Sequence, residues 1–138
     1  MDSVITFIKE NAINIVAVVV LILFLYPKIR LITNKSVASI SAEDAVELIK
    51  TQKDLVIIDV RTAAEFKTGH IQGAKNFPLG ELLRRKKELE KYRGRPLLVH
   101  CASGNRSLRA VSILVKNKYG PIYHMNRGLV TWSYGLKR

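Results

Sequence analysis

Two short stretches, LVIIDV at residues 55–60 and LLVHC at residues 97–101, constrain the fold more than any other feature of the chain. Neither alternates between polar and apolar residues, so each reads as a strand covered on both faces, the pattern of a parallel sheet. Helical patterns lie between them. Ser41 stands as the cap of a helix with Asp44 at its third position and Ala45, Val46, Leu48 and Ile49 as its apolar stripe. Thr62 and Glu65 have the spacing of a capping box, and Gly69 can close that short helix. Residues 80–92 read as a basic amphipathic helix with Leu82, Leu83 and Leu89 inward. Residues 106–119 read as a helix with Leu108, Val111, Ile113, Leu114 and Val115 largely inward. AKNFP at 74–78 and IYHM at 122–125 suit further strands, and GLVTWSYG at 128–135 a final short helix. The alternation predicts an α/β domain with a parallel sheet flanked by helices. Function in such sheets lies at the carboxyl ends of the strands, which places Asp59 and Cys101 on one edge.

The N-terminal part has a different character. Residues 12–26, AINIVAVVVLILFLY, carry no charge. As a helix they reach about 22 Å, short of a hydrocarbon layer of roughly 30 Å. Ile29, Leu31 and Ile32 extend the apolar surface past Pro27, while Lys28 and Arg30 can snorkel to headgroups and VITFI at 4–8 can lie in the interface. One transmembrane helix over Ala12–Ile32 is therefore expected, with residues 1–35 as anchor and juxtamembrane linker and residues 36–138 as the folded domain. Ser36-Val37-Ala38 resembles a signal-peptidase site, but the positive charges follow the apolar run, the reverse of the signal-peptide order. Lys28, Arg30 and Lys35 lie on the domain's side of the span, which predicts a single-pass protein of a bacterial inner membrane with its C-terminal domain in the cytoplasm. A single cysteine agrees, since one thiol forms no internal disulfide.

The net charge is +12, and part of the excess sits in RRKKELEKYRGR at 84–95. Glu88 and Glu90 interrupt the run, the pattern of a solvated helix face; anionic lipid or an acidic partner are the functional alternatives. Only Tyr92 accompanies the charges, so there is no stacking platform and no nucleic-acid partner is expected. His70, His100 and His124 are scattered without ligand spacing, so neither a metal nor another cofactor is expected.

Chemistry concentrates in VHCASGNRS at 99–107. A cysteine between a buried strand and a helix start sees backbone N–H groups and the positive end of the helix dipole, both of which favour thiolate. Gly104 permits a tight turn, so the amides of Ala102, Ser103, Gly104, Asn105 and Arg106 can converge on Cys101 as an anion-binding nest. Arg106 and Arg109 add attraction for an anionic substrate. A cysteine phosphatase needs five residues between cysteine and arginine to encircle phosphate. Here Ala102, Ser103, Gly104 and Asn105 alone intervene, and Ser107 occupies the position where that arginine would stand. The shorter loop suits one extra sulfur atom on Cys101 rather than a phosphate ester.

The chain resembles a single-domain rhodanese, a sulfurtransferase, joined to a membrane anchor. The marks are IIDVRTAAEFKTGHIQGAKNFP at 57–78, the loop CASGNR at 101–106 followed by Ser107, and RGLVTWSYG at 127–135. The family usually has Gly-Gly before the tryptophan; Arg127-Gly128 stands here, read as a tolerated change in a turn away from the sulfur. The resemblance implies that Cys101 takes sulfane sulfur from thiosulfate or a persulfide donor and holds it as a persulfide among the loop amides, with Arg106 orienting the donor. It implies that Asp59 and Arg61 brace the loop, and that Glu65, Gly69, His70 and Gly73 are structural. No second thiol exists to resolve a persulfide, so the sulfur must leave to cyanide, a small thiol or a protein cysteine, with ping-pong kinetics. The rivals are a non-catalytic interaction module tethered to the membrane and, less favoured by loop length, a cysteine phosphatase or arsenate reductase.

Overall fold

The computed structural model describes residues 1–32 and 36–138, with the backbone alone for residue 2 and residues 25–32. The chain forms two compact units, Met1–Asn34 and Lys35–Arg138. In the first, helix α1 (Asp2–Glu10) breaks at Asn11, whose amide bonds back to Phe7, and α2 spans Ala12–Ile32. Among the described residues no single helix is long and apolar enough to cross a membrane. Ser3–Glu10 and Ala12–Phe24 meet the requirement only as a pair, bent by 67°. The side chains of Lys28, Ile29, Arg30, Leu31 and Ile32, and Lys35 entirely, lie outside the described residues.

The second unit is a five-stranded sheet of order β1-β5-β4-β2-β3, parallel throughout. Its strands are β1 (Val37–Ile40), β2 (Val56–Asp59), β3 (Lys75–Asn76), β4 (Leu97–His100) and β5 (Ile122–Met125). The helices are α3 (Ala42–Thr51), α4 (Ala63–Thr68), α5 (Lys86–Leu89) and α6 (Asn105–Lys116). Every residue of β2 and β4 is buried, which is why neither run alternates. One face packs Ile58, Val60, Leu97, Val99 and Ile122 against Leu82, Leu89, Ala110 and Leu114. The other packs Ile57, Leu98 and Met125 against Ala42, Ala45, Ile71 and the partly buried Phe66 and Trp132. Both capping boxes form: the Ser41 hydroxyl accepts from the Asp44 amide, and the Thr62 hydroxyl from the Glu65 amide.

Three expectations are corrected. The pattern gives no strand over residues 37–40, yet β1 forms there, because the backbone of VASI pairs with β5 from Val37↔Ile122 to Ile40↔Met125 although its side chains are mostly exposed. Residues 80–92 are not one helix. They divide into a 3₁₀ turn (Leu79–Glu81), the single turn α5 and a second 3₁₀ turn (Glu90–Tyr92), which leaves Leu83 exposed while Leu82 and Leu89 are buried. In α6, Leu108 points to solvent, since the inward stripe runs through Ser107, Ala110, Val111 and Leu114. The final segment is a 3₁₀ turn, Gly128–Thr131.

Candidate active site

Strand β4 delivers Cys101 to the carboxyl edge of the sheet, and α6 begins four residues later at Asn105. The turn between them depends on Gly104, which has φ +104° and caps α6. A Cβ there would be strained by that φ and would collide with the Asn126 carbonyl oxygen. The turn brings the Gly104 amide to 3.1 Å from Cys101 Sγ, as donor. Ser107, in the first turn of α6 and fully buried, places its Oγ 3.4 Å from the same sulfur.

Burial pushes the Cys101 thiol up. Hydrogen bonds from the Ser107 hydroxyl and from the amides of Ser107, Gly104 and Ser103 outweigh it and hold the pKa below the ordinary thiol value. The amide hydrogen-bonded to the sulfur is that of Gly104, and those of Ser103 and Ser107 add to the lowering. Those of Ala102, Asn105 and Arg106, expected in the same nest, make no such bond among the described residues.

Asp59 and Arg61 lie at the same edge, on the opposite face of the sheet by strand alternation. Asp59 is fully buried and receives Arg61 through its backbone N at 3.0 Å, through Nε at 3.0 and 3.1 Å, and through a terminal nitrogen at 2.7 Å. The guanidinium also donates to the carbonyls of Gly69 at 2.7 Å and Glu65 at 3.3 Å, so it binds both ends of α4. Asn76 closes the arrangement by donating to the carbonyls of Asp59 and Arg61. His100 Nε2 lies 3.8 Å from Asp59 and has no hydrogen-bond partner among the described residues; burial holds this histidine below its usual range, hence neutral. His70 stacks on Phe66 and faces the Phe66 carbonyl with Nδ1, a structural placement.

Arg106 reaches across to α4. Its two terminal nitrogens donate to the two oxygens of Glu65 at 2.7 and 2.8 Å, a bidentate pair. Arg106 thus stands paired with α4, its side chain 35% exposed. Hydrogen bonds from Arg106 and Thr62 lower the Glu65 carboxyl to about 2. Arg109 and Arg127, both exposed, make no ion pair among the described residues.

The turn at Arg127-Gly128 does not lie away from the sulfur. The Leu129 amide donates to the Cys101 carbonyl and the Val130 amide to the Ala102 carbonyl, each at 3.0 Å. Gly128 has φ +57°, and a Cβ there would collide with the Cys101 carbonyl. Arg127 has φ −106° and ψ 3°, which any residue adopts, so the arginine is accommodated where a second glycine is usual.

Sequence reading did not foresee the Glu65–Arg106 pair or the approach of His124 to Ser107, with Nε2 2.7 Å from Oγ. Glu65 was visible as a capping residue, and that role hid its second one. Nothing near His124 in sequence signals a site 17 residues away from Ser107.

Fold and loop together define a class: an α/β domain that holds one cysteine sulfur beside backbone amides at the carboxyl edge of a parallel sheet. The chain belongs to the rhodanese-like domain family, whose sequence profile matches residues 41–134. It is 30% identical over 101 residues to a protein named sulfurtransferase from Allochromatium vinosum, covering 72% of this chain and 92% of that one. YqhL of Bacillus subtilis is 40% identical over 81 residues, 59% of this chain and 63% of that protein, so the match spans less than two thirds of it. YibN of Escherichia coli is 27% identical over 135 residues, 96% of this chain and 93% of that one. The crystal structure of a rhodanese-related protein from Thermoplasma volcanium matches with a TM-score of 0.63 at 34% identity, over 72% of this chain and 96% of that one. The domain is thus related to sulfurtransferases.

Proposed function

We propose that the domain moves sulfane sulfur from thiosulfate or a persulfide donor to an external acceptor by way of a Cys101 persulfide. The observation that carries this reading is the small amide-lined loop, in which Cys101 Sγ receives the Gly104 amide at 3.1 Å and has the Ser107 hydroxyl at 3.4 Å. The thiolate attacks the outer sulfur of the donor. A new S–S bond forms on Cys101 as the donor's S–S bond breaks, and the electron pair leaves with sulfite or a thiolate. Cyanide, a small thiol or a protein cysteine then attacks the outer sulfur and restores the Cys101 thiolate, since the chain has no other cysteine. The loop donors act by stabilising sulfur anions in both half-reactions.

The test is the full chain incubated with thiosulfate and then cyanide, followed by intact mass. Cys101 gains one sulfur atom after thiosulfate and loses it as thiocyanate forms. Cys101→Ser abolishes both while the fold persists. Substantial turnover in that variant overturns the reading, and hydrolysis of an aryl phosphate without sulfur loading favours a phosphatase.

We further propose that residues 1–35 tether the domain to the inner membrane of a bacterium with the C-terminal domain in the cytoplasm. The uncharged run 12–26 and the basic residues that follow it support this. Carbonate extraction of membranes checks the tether, and protease protection checks the orientation.

A further inference from the structure

We propose that His124 is a positioning residue for the sulfur-carrying thiolate, acting on Cys101 through the Ser107 hydroxyl. The three groups form a buried line across β5, α6 and β4. His124 Nε2 lies 2.7 Å from Ser107 Oγ, and Ser107 Oγ lies 3.4 Å from Cys101 Sγ. All three residues are less than a tenth exposed.

The direction of the line follows from the hydrogens available. Ser107 has one hydroxyl hydrogen and three neighbours in reach: Cys101 Sγ, His124 Nε2 and the Gly104 carbonyl at 3.0 Å. The His124 ring also faces the Gly104 carbonyl, which can only accept. With the hydrogen on Nε2, Ser107 accepts from the ring. The serine hydrogen is then released from the histidine and turns to the strongest acceptor beside it, the anionic sulfur. With the hydrogen on Nδ1 instead, Nε2 would draw the serine hydrogen away from the sulfur. Burial keeps the ring neutral, so it supplies orientation and not charge. The remaining charged groups around the line are Arg106 of α6 and Glu65 of α4, which neutralise each other. His100, adjacent to Cys101 in β4, faces the opposite side of the sheet toward Asp59.

The test is the pH profile of iodoacetamide alkylation of Cys101 in the full chain. It rests on thiolate chemistry at Cys101 but needs no sulfur donor, so its failure and the failure of sulfur transfer are separate results. Ser107→Ala moves the midpoint up by about one pH unit, the loss of one strong donor to the anion. His124→Leu moves it in the same direction by a smaller amount. His124→Gln, which keeps an N–H donor at that reach, stays on the wild-type curve. In the Ser107→Ala background, His124→Leu adds nothing, because its path to the sulfur is gone. A wild-type midpoint in His124→Leu overturns the proposal, and so does an additive shift in the double variant. Should His124→Leu not fold, His124→Asn, whose amide is too short to reach Ser107, carries the same expectations and the same refutation.

Discussion

Neutralising Glu65 isolates the charge that ties α4 to the active loop. In Glu65→Gln the capping box survives, because a glutamine at that position still accepts from Thr62, whose amide and hydroxyl lie 2.8 and 2.9 Å from the carboxylate. What is lost is the charge opposite Arg106. The carboxyl is held at about 2 rather than 4.5, chiefly by the hydrogen bond from Arg106 and then by the Thr62 amide. Taken at face value that depression corresponds to about 3 kcal/mol. The Arg106 and Glu65 side chains are 35% and 37% exposed, so solvent screening reduces the net contribution to about 1 kcal/mol. The pKa is lowered on folding, so this stability is present above the unfolded value of 4.5 and is lost as pH falls through about 2. Urea denaturation at pH 7 is expected to show Glu65→Gln less stable by about 1 kcal/mol, equivalent to a Tm lower by about 4–8 °C for a domain of this size. The gap between wild type and variant closes below pH 3. A gap of the same size at pH 2.5 refutes the electrostatic account, and no gap at pH 7 refutes the pair's contribution.

Gly104→Ala sets a Cβ against the Asn126 carbonyl at positive φ; it is expected to cost about 2–4 kcal/mol in urea melts and to slow Cys101 alkylation near neutral pH. Asp59→Asn leaves the buried Arg61 charge without its partner and is expected to lose about 3–5 kcal/mol. Sulfur loading of Cys101 in that variant should be slowed but not abolished at low temperature, since Asp59 acts on the sulfur only through α4 and α6; complete loss in a folded protein, or unchanged loading, contradicts a bracing role. Leu82→Ala should cost about 2–5 kcal/mol and Leu83→Ala less than about 0.5, because one side chain is 1% and the other 59% exposed. Equal losses would restore the single amphipathic helix over residues 80–92.

The parallel sheet and the loop were legible because their signals are local. The runs in β2 and β4 are continuous because both faces are covered, and the cap spacings at Ser41 and Thr62 are short-range hydrogen-bond patterns. The strand β1 was illegible because an edge strand with exposed side chains has no hydrophobic pattern; it exists by backbone pairing to a strand some 85 residues further along. The segment around α5 misled for a related reason. Its leucines have helical spacing, but packing against the sheet and α6 buries Leu82 and Leu89 in separate turns rather than along one helix. Cys101, Gly104 and Ser107 announce themselves within one loop. Glu65 and His124 join it from other elements, and only the fold brings them there.

Asp59 and Arg61 show how a group on one face of a sheet can act on a sulfur lying on the other. Among the described residues Arg61 makes no hydrogen bond to the loop. Its guanidinium instead bonds the Glu65 carbonyl in the first turn of α4 and the Gly69 carbonyl just past its end. A helix of 6 residues has little stability of its own, so these bonds and the Thr62 cap define where it sits. That position decides where the Glu65 carboxylate stands, and Glu65 in turn grips Arg106 by both terminal nitrogens. Arg106 lies between Asn105, the first residue of α6, and Ser107, whose hydroxyl faces the sulfur. A series of hydrogen bonds thus links the buried ion pair to the residue beside Ser107 around the carboxyl edge of the sheet, through α4 and then α6. A rigid path of this kind keeps the loop donors aimed at the Cys101 sulfur. It does so without placing a second charge in contact with that sulfur.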